Sequence, residues 1–406
     1  MSGSPLSARW SDPLALSGWL FLAGFGVGQG WLIALDASAH GGFLFLLPLT
    51  LFSILLAWPL YQTELAMGRR AGRELPEGMA RLTREADAPR IYRLWSWGSL
   101  LALALTLGMA LLAASLGLEN LLHALTVSAT HSRPAPLSLQ GWLGIAMAIC
   151  VTGASFLHGQ PWMRQRPFVL GSTLVLILGL VVLDLGSGSG QSHLATIHGG
   201  YGWAALRDAL LLHAAGYGLW FSTGTRMPAS TSIARTSLLS ILVSLVSVAL
   251  MVPLTTTATD TVFHPFSIDS LNTIGLELSY RTVFADLLFH GILFLGGIFA
   301  LTALAEPLQN SLVDQGLPAR WSRPVPYAIA VVAAIALLIP ALLTFRSLLI
   351  LALALLLSIF GGWAMKISHL RKSLQLPEEL LYNLLRISIR ILVPLSLIGF
   401  GIGSLF

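Results

Sequence analysis

Four glycines at alternate positions lie in one apolar run, Ala23-Gly24-Phe25-Gly26-Val27-Gly28-Gln29-Gly30. A second cluster, His213-Ala214-Ala215-Gly216-Tyr217-Gly218, falls near the middle of another. Each glycine inside a helix costs about 1 kcal/mol relative to alanine. Unwound backbone that far from water is tolerated only where protein buries it or a cavity borders it. The chemistry such breaks offer is binding, because the free amides and dipole of a half-helix favour an anionic group such as a carboxylate. Ionisable residues inside apolar runs, namely Glu64, Asp208, His213, Asp286, His290 and Glu306, add candidates for fixing a charge or carrying a proton. Close helix packing is the competing reading of the glycines. It accounts for Gly24 and Gly28, four residues apart, and leaves Gly26 and Gly30 on the other side. For Asp208 and His213 the plainer roles are a helix cap and a carbonyl partner, and Glu64 is expected to organise packing near the first break.

Such residues need a membrane around them, and the composition supplies it. Of 406 residues, 55% are hydrophobic and 10% charged, with a mean hydropathy of +0.78. Soluble domains carry about 25% charged residues, so an ordinary soluble enzyme, a disordered chain and a nucleic-acid binder are all excluded. The net charge of +5 therefore implies no nucleic-acid partner. Cys150 is the single cysteine, which excludes intrachain disulfides and cysteine-ligated metals. His193 and His198 lack a third ligand nearby and read as loop histidines, so neither a metal nor a cofactor is expected.

Runs of about 20 apolar residues span a bilayer as helices. The sequence holds eleven, at 14–35, 42–67, 94–125, 139–157, 167–185, 203–224, 236–258, 284–312, 325–343, 347–365 and 380–404. The first lacks a small-residue cleavage site and leads into further spans, so it reads as a membrane helix. Seven arginines fill 69–93, and Arg164, Arg166, Arg226, Arg235, Arg320, Arg323, Lys366, Arg371 and Lys372 continue on every second connection. The intervening connections hold only Arg133, Arg207, Arg281 and Arg346. This alternation places the N-terminus in the cytoplasm of a multi-pass protein of the plasma (cell inner) membrane, with the bilayer as a partner. The 69–93 connection reads as a solvated loop, with a lipid-headgroup site as the alternative. Interruptions in the first and sixth spans match an all-α, five-plus-five inverted repeat that binds substrate at the midplane. The chain divides accordingly into repeats at 14–185 and 203–365 and an extra helix at 380–404, within one transmembrane unit over 1–406.

At three places the residues carry a family pattern: Gly26-Val27-Gly28-Gln29-Gly30-Trp31-Leu32, then His40-Gly41-Gly42, then Pro59 through Glu64 to Gly68-Arg69. Asp208 to Gly218 and Glu306-Pro307 through Asp314 extend it. In these segments the chain resembles the neurotransmitter:sodium symporter family, of the bacterial leucine-transporter kind. The resemblance implies a secondary transporter, not an enzyme, with substrate held against Gly24, Gly26, Val27, Gly28, Ser115, Leu211, Ala214, Gly216, Tyr217 and Gly218. Gly26 stands where the family's amine transporters have Asp, which implies a zwitterionic amino acid or similar small carboxylate as the partner molecule. Ser115 replaces a third-helix Tyr. Arg9, Trp10 and Asp314 correspond to the cytoplasmic gate, with Arg9 shifted in register.

The pattern also breaks. Sodium takes oxygen ligands, yet Gln29 stands for the family's first-helix Asn, Leu212 for a Thr, and Phe299 and Ala300 for a Thr/Ser pair. The outer-gate Arg is Leu32. These losses argue against sodium coupling of the usual kind and leave Gln29, Asp208 and His213 as ion-coupling candidates, the last two for protons. A non-transporting sensor or scaffold subunit on the same fold is the alternative.

Overall fold

The computed structural model describes residues 12–25, 27–127, 142–186, 201–228, 230–255, 282–374 and 379–403, with residues 271, 274, 275 and 278. All regular structure among them is helical. Seven helices are long and apolar enough to cross a membrane: Gly42–Ala71, Arg90–His123, Arg166–Leu185, Ile233–Thr255, Val283–Asp314, Pro340–Ala364 and Glu379–Gly399. They carry the second, third, fifth, seventh, eighth, tenth and eleventh expected spans. Shorter helices carry the rest. Pro13–Phe25 and Val27–Ala39 belong to the first span, on either side of Gly26, which lies outside the described residues. Trp142–Leu157 and Pro324–Leu337 are the fourth and ninth, and Tyr201–Leu212 with Leu219–Arg226 makes the sixth.

One boundary differs in a way that matters later. The hydropathy dip at Thr344-Phe345-Arg346 predicts a connection there. The ninth helix instead stops at Leu337 and the tenth starts at Pro340. Ile339 is extended (φ −88°, ψ 111°), because the residue before a proline is pushed out of the helical region. Proline lacks an amide hydrogen and fits the first helical position. Arg346 is therefore a residue of the tenth span, not of a loop.

The 69–93 connection is also more structured than a solvated loop. Helix Leu75–Glu85 buries Leu75, Met79 and Leu82 against the bundle and leaves its charges outward. Glu85 holds this helix to Arg70 at 3.0 Å and to Arg81 at 3.1 Å.

Small residues set the closest helix approaches. At Gly297 of the eighth span an added Cβ would lie 2.6 Å from the Ala114 Cβ of the third, and at Gly18 it would lie 2.8 Å from Val169 of the fifth. Gly68 and Gly224 bring the second span and the inner half of the sixth together: a Cβ at either would strike the carbonyl oxygen of Phe221 or Leu65. Among the seven long spans the third is the most enclosed, with 89% of its most apolar window buried, and the fifth the least, at 28%. The third is thus a central strut and the fifth a lipid-facing wall.

Backbone oxygens cannot retreat as flexible side chains do, and overpacking typically costs about 1–3 kcal/mol. Gly68→Ala and Gly224→Ala are each expected to lower stability by about 2–3 kcal/mol. Gly144 has nothing within 4 Å of an added Cβ, so Gly144→Ala is expected to leave the melting midpoint in detergent unchanged.

Candidate functional site

Non-helical backbone separates the two halves of the sixth span from His213 to Gly218. Ala214 (φ 49°), Gly216 (φ 95°) and Gly218 (φ 94°) all take left-handed conformations. At Ala214 this costs about 1–2 kcal/mol, and the surroundings must impose it. Gly216 and Gly218 are required twice over, since a Cβ would also lie 2.8 Å from Ala354 of the tenth span and 2.6 Å from the Ser99 Cβ of the third.

Glu64, fully buried on the second span, holds this interruption. Its Oε2 accepts the Gly216 N–H at 2.9 Å. Its Oε1 accepts the N–H groups of Trp220 at 2.7 Å and Phe221 at 3.2 Å. Two indoles complete the clamp: Trp95 Nε1 donates to the Gly216 carbonyl at 2.9 Å, and Trp220 Nε1 to the His213 carbonyl at 2.8 Å. Tyr61 stacks on Trp220 with ring centroids 4.4 Å apart. The sequence placed Glu64 near the first-span glycines and reserved half-helix amides for a ligand. In the folded chain this carboxylate occupies the amides of the inner sixth-span helix itself.

His213 turns to the second span, where its Nε2 meets Ser53 Oγ at 2.9 Å. Leu211, Leu212 and Ala214 are buried. Gly24, Phe25, Val27 and Gly28 are helical, whereas Gly26, Arg9 and Trp10 lie outside the described residues. Ser115 donates to the Leu111 carbonyl of its own helix at 2.7 Å and neighbours Cys150. The third-span hydroxyl that takes part in this region belongs to Thr106, which donates to the Ala102 carbonyl at 2.7 Å. Thr106 Oγ1 also takes the Arg346 Nε at 3.3 Å, and Arg346 Nη1 donates to Gln29 Oε1 at 3.0 Å. First, third and tenth spans thus converge on a guanidinium that is 1% exposed. Sequence reasoning counted Arg346 as a loop charge; the proline six residues earlier was the available signal.

Ion networks close both ends. On the predicted external side, Arg207 bridges Asp36 and Asp208, reaching Asp208 Oδ1 at 2.9 Å. His40 Nδ1 meets Asp36 Oδ1 at 3.2 Å. Hydrogen bonding to Asp36 raises the His40 pKa above its ordinary value despite partial burial. Asp208 thus sits in a four-residue cluster, of which Asp36 and His40 were not foreseen as partners. On the predicted cytoplasmic side, Glu306 is held between Arg164 and Arg226. Arg226 Nη2 also reaches Glu74 Oε1 at 3.1 Å, and Ser222 Oγ donates to Glu74 Oε2 at 2.5 Å. Exposed Asp314 accepts the Glu74 N–H at 3.1 Å. Connections that the charge alternation assigned to one face do meet there. A narrow crevice of about 10 Å³, room for roughly one water molecule, lies beside this network between Trp19, Ala23, Leu219, Ser222, Arg226 and Glu306.

Of the positions matched to sodium ligands, all but Gln29 are apolar: Leu212 and Ala300 are buried, and Phe299 stacks edge-on against Phe168 with centroids 5.5 Å apart. Leu32, matched to the outer-gate Arg, is buried as well. In the eighth span, Asp286 and His290 pair with each other at 3.1 Å. Among the described residues no group of three or more His, Cys, Asp or Glu is placed to hold a metal ion.

An all-helical bundle of apolar spans, one of them unwound midway around a buried carboxylate, defines a polytopic membrane protein of leucine-transporter-like fold. The crystal structure of MhsT in complex with L-phenylalanine shares that fold, with a TM-score of 0.80 at 15% identity, over 98% of this chain and 99% of that one. No family model matches the sequence, and no curated protein does.

Two outcomes follow from the clamp and the external cluster. Glu64→Gln leaves one acceptor oxygen for several buried amides, and the expected loss is about 2–4 kcal/mol in the unfolding free energy; an unchanged midpoint would contradict the clamp. Because the folded-state pKa of His40 is raised, its stabilising contribution is full below the unfolded value of 6.5 and fades as pH rises through the raised value. The difference in melting midpoint between wild type and His40→Gln is therefore expected to shrink from about pH 5.5 to about pH 8.5.

Proposed function

We propose that this protein is a secondary transporter of an amino acid or similar small carboxylate in the cell membrane, built on inverted repeats at 14–185 and 203–365 with 380–404 as an added helix. The interrupted sixth span carries the reading. A mid-membrane break requires a dedicated buried carboxylate, two indoles and a strained alanine. Such an arrangement contributes nothing to a bundle that only needs to pack, and it suits a ligand site between half-helices. The fold is shared end to end with a protein crystallised in complex with an amino acid, L-phenylalanine. That supports an amino-acid-like substrate held near Tyr217, Gly216 and the first-span glycines. The narrow crevice beside Arg226 and Glu306 marks where an inner exit would open, with the Glu74–Arg226–Glu306 network as its latch.

Apolar side chains at Leu212, Phe299 and Ala300 support coupling that does not use the family's sodium sites. Asp208 is the proton-carrying candidate, placed beside a second carboxylate, Asp36, and an arginine that both share.

Reconstituted in proteoliposomes, the protein is expected to accumulate at least one amino acid without a sodium gradient. Asp208→Asn is expected to flatten the pH dependence of uptake. Uptake whose pH profile survives that substitution removes the proton route. Ligand binding with no uptake under any gradient favours a sensor on the same fold.

A further inference from the structure

The tenth span buries an arginine that no described carboxylate neutralises. Arg346 lies about 9 Å along the helix axis from Pro340, where the span begins. Among the described residues its hydrogen-bond acceptors are neutral, Gln29 Oε1 and Thr106 Oγ1. A guanidinium has five N–H donors and keeps its charge, and an uncompensated charge in a low-dielectric interior is strongly unfavourable. A second observation is independent of the first. Gln29 Nε2 is buried with no acceptor. Flipping the amide gives no relief, because Nε2 would then face the guanidinium, donor against donor. Two adjacent side chains therefore present N–H groups, one of them positive, and the set lacks an anionic acceptor. Tyr217, inside the sixth-span interruption, feels the same charge, so the gap adjoins the break.

We propose that Arg346 and Gln29 form a fixed anion site that takes the carboxylate of the substrate, with the guanidinium serving in place of a bound sodium ion. The proposal rests on the transporter reading and narrows its substrate to molecules with a free carboxylate. Gln29 holds the position that the sequence resemblance assigns to a sodium ligand, and its amide oxygen is already taken by Arg346. A sodium ion brought to that oxygen would meet a permanent like charge. A carboxylate laid across the guanidinium edge and Gln29 Nε2 satisfies both donors in a charge-assisted fork. Binding then needs no sodium, and an amide in place of the acid fails.

The test uses the full-length protein in detergent, melted in potassium and in sodium buffer at matched chloride, with chloride then varied separately. L-phenylalanine, L-leucine, glycine, acetate and propionate are each compared with the matching amide. At least one acid is expected to raise the midpoint equally in both buffers while its amide does not. Arg346→Gln is expected to weaken that acid by about 10- to 100-fold, with Arg346→Lys in between. Stabilisation that requires sodium, amides as effective as acids, unchanged affinity in a folded Arg346→Gln, or a response to chloride but to no carboxylate overturns the proposal. If Arg346→Gln does not fold, the acid-against-amide comparison on wild type decides alone. Acid-selective binding without uptake leaves the anion site standing and removes the transporter reading. Uptake that ignores the carboxylate does the reverse.

Discussion

The structure depends on a single constraint: no water reaches the membrane interior, so a helix that opens there must find partners for every amide and carbonyl it frees. Glu64 answers most of that demand at the sixth span. One buried carboxylate accepts amides from Gly216, Trp220 and Phe221, and the positive end of the inner helix in turn makes a buried carboxylate tolerable. Neither is stable alone. The second span exists in its observed form to deliver that group, with Ser53 and Tyr61 of the same helix touching His213 and Trp220. Gly68 then lets this helix approach the inner sixth-span backbone closely enough for the contact.

Charge is distributed by the same rule. Both outer networks satisfy themselves: Arg207 with Asp36 and Asp208 at one end, Arg164 and Arg226 with Glu306 and Glu74 at the other. Each places acids and bases at hydrogen-bonding distance, where desolvation is offset by mutual attraction. These salt bridges tie the first span to the sixth at one end, and the sixth and eighth spans to the 69–93 and 4–5 connections at the other. Between them lies a positive group with neutral partners only among the described residues, next to the interrupted span. The networks at the faces are closed, and the electrostatic demand beside the break is met by neutral groups alone among the described residues.

Much of this was legible in the sequence, and the reason is that hydropathy and charge act locally. The eleven apolar runs appear as helices, close to the expected limits except where the ninth ends and the tenth begins. The sixth-span interruption falls on the His213–Gly218 cluster because left-handed φ at Gly216 and Gly218 is a property of those residues themselves. Basic connections gather at one end because their side is set one loop at a time. The partners were not legible. Nothing near Glu64 in the chain points to residues more than 150 positions away, and nothing near Asp208 points to Asp36.

Arg346 marks the division most clearly. Its sequence neighbourhood reads as a polar dip between two spans, and only the proline at 340 hints that the helix has already begun. Composition and hydropathy determined that the chain crosses a membrane, where its sixth span breaks, and which connections share a face, since each depends on residues close in sequence. Tertiary structure decided which buried polar groups meet: Glu64 with the sixth-span amides, and Arg346 with Gln29 and Thr106. Those pairings are fixed by helix packing across the bundle, which no local stretch of sequence encodes.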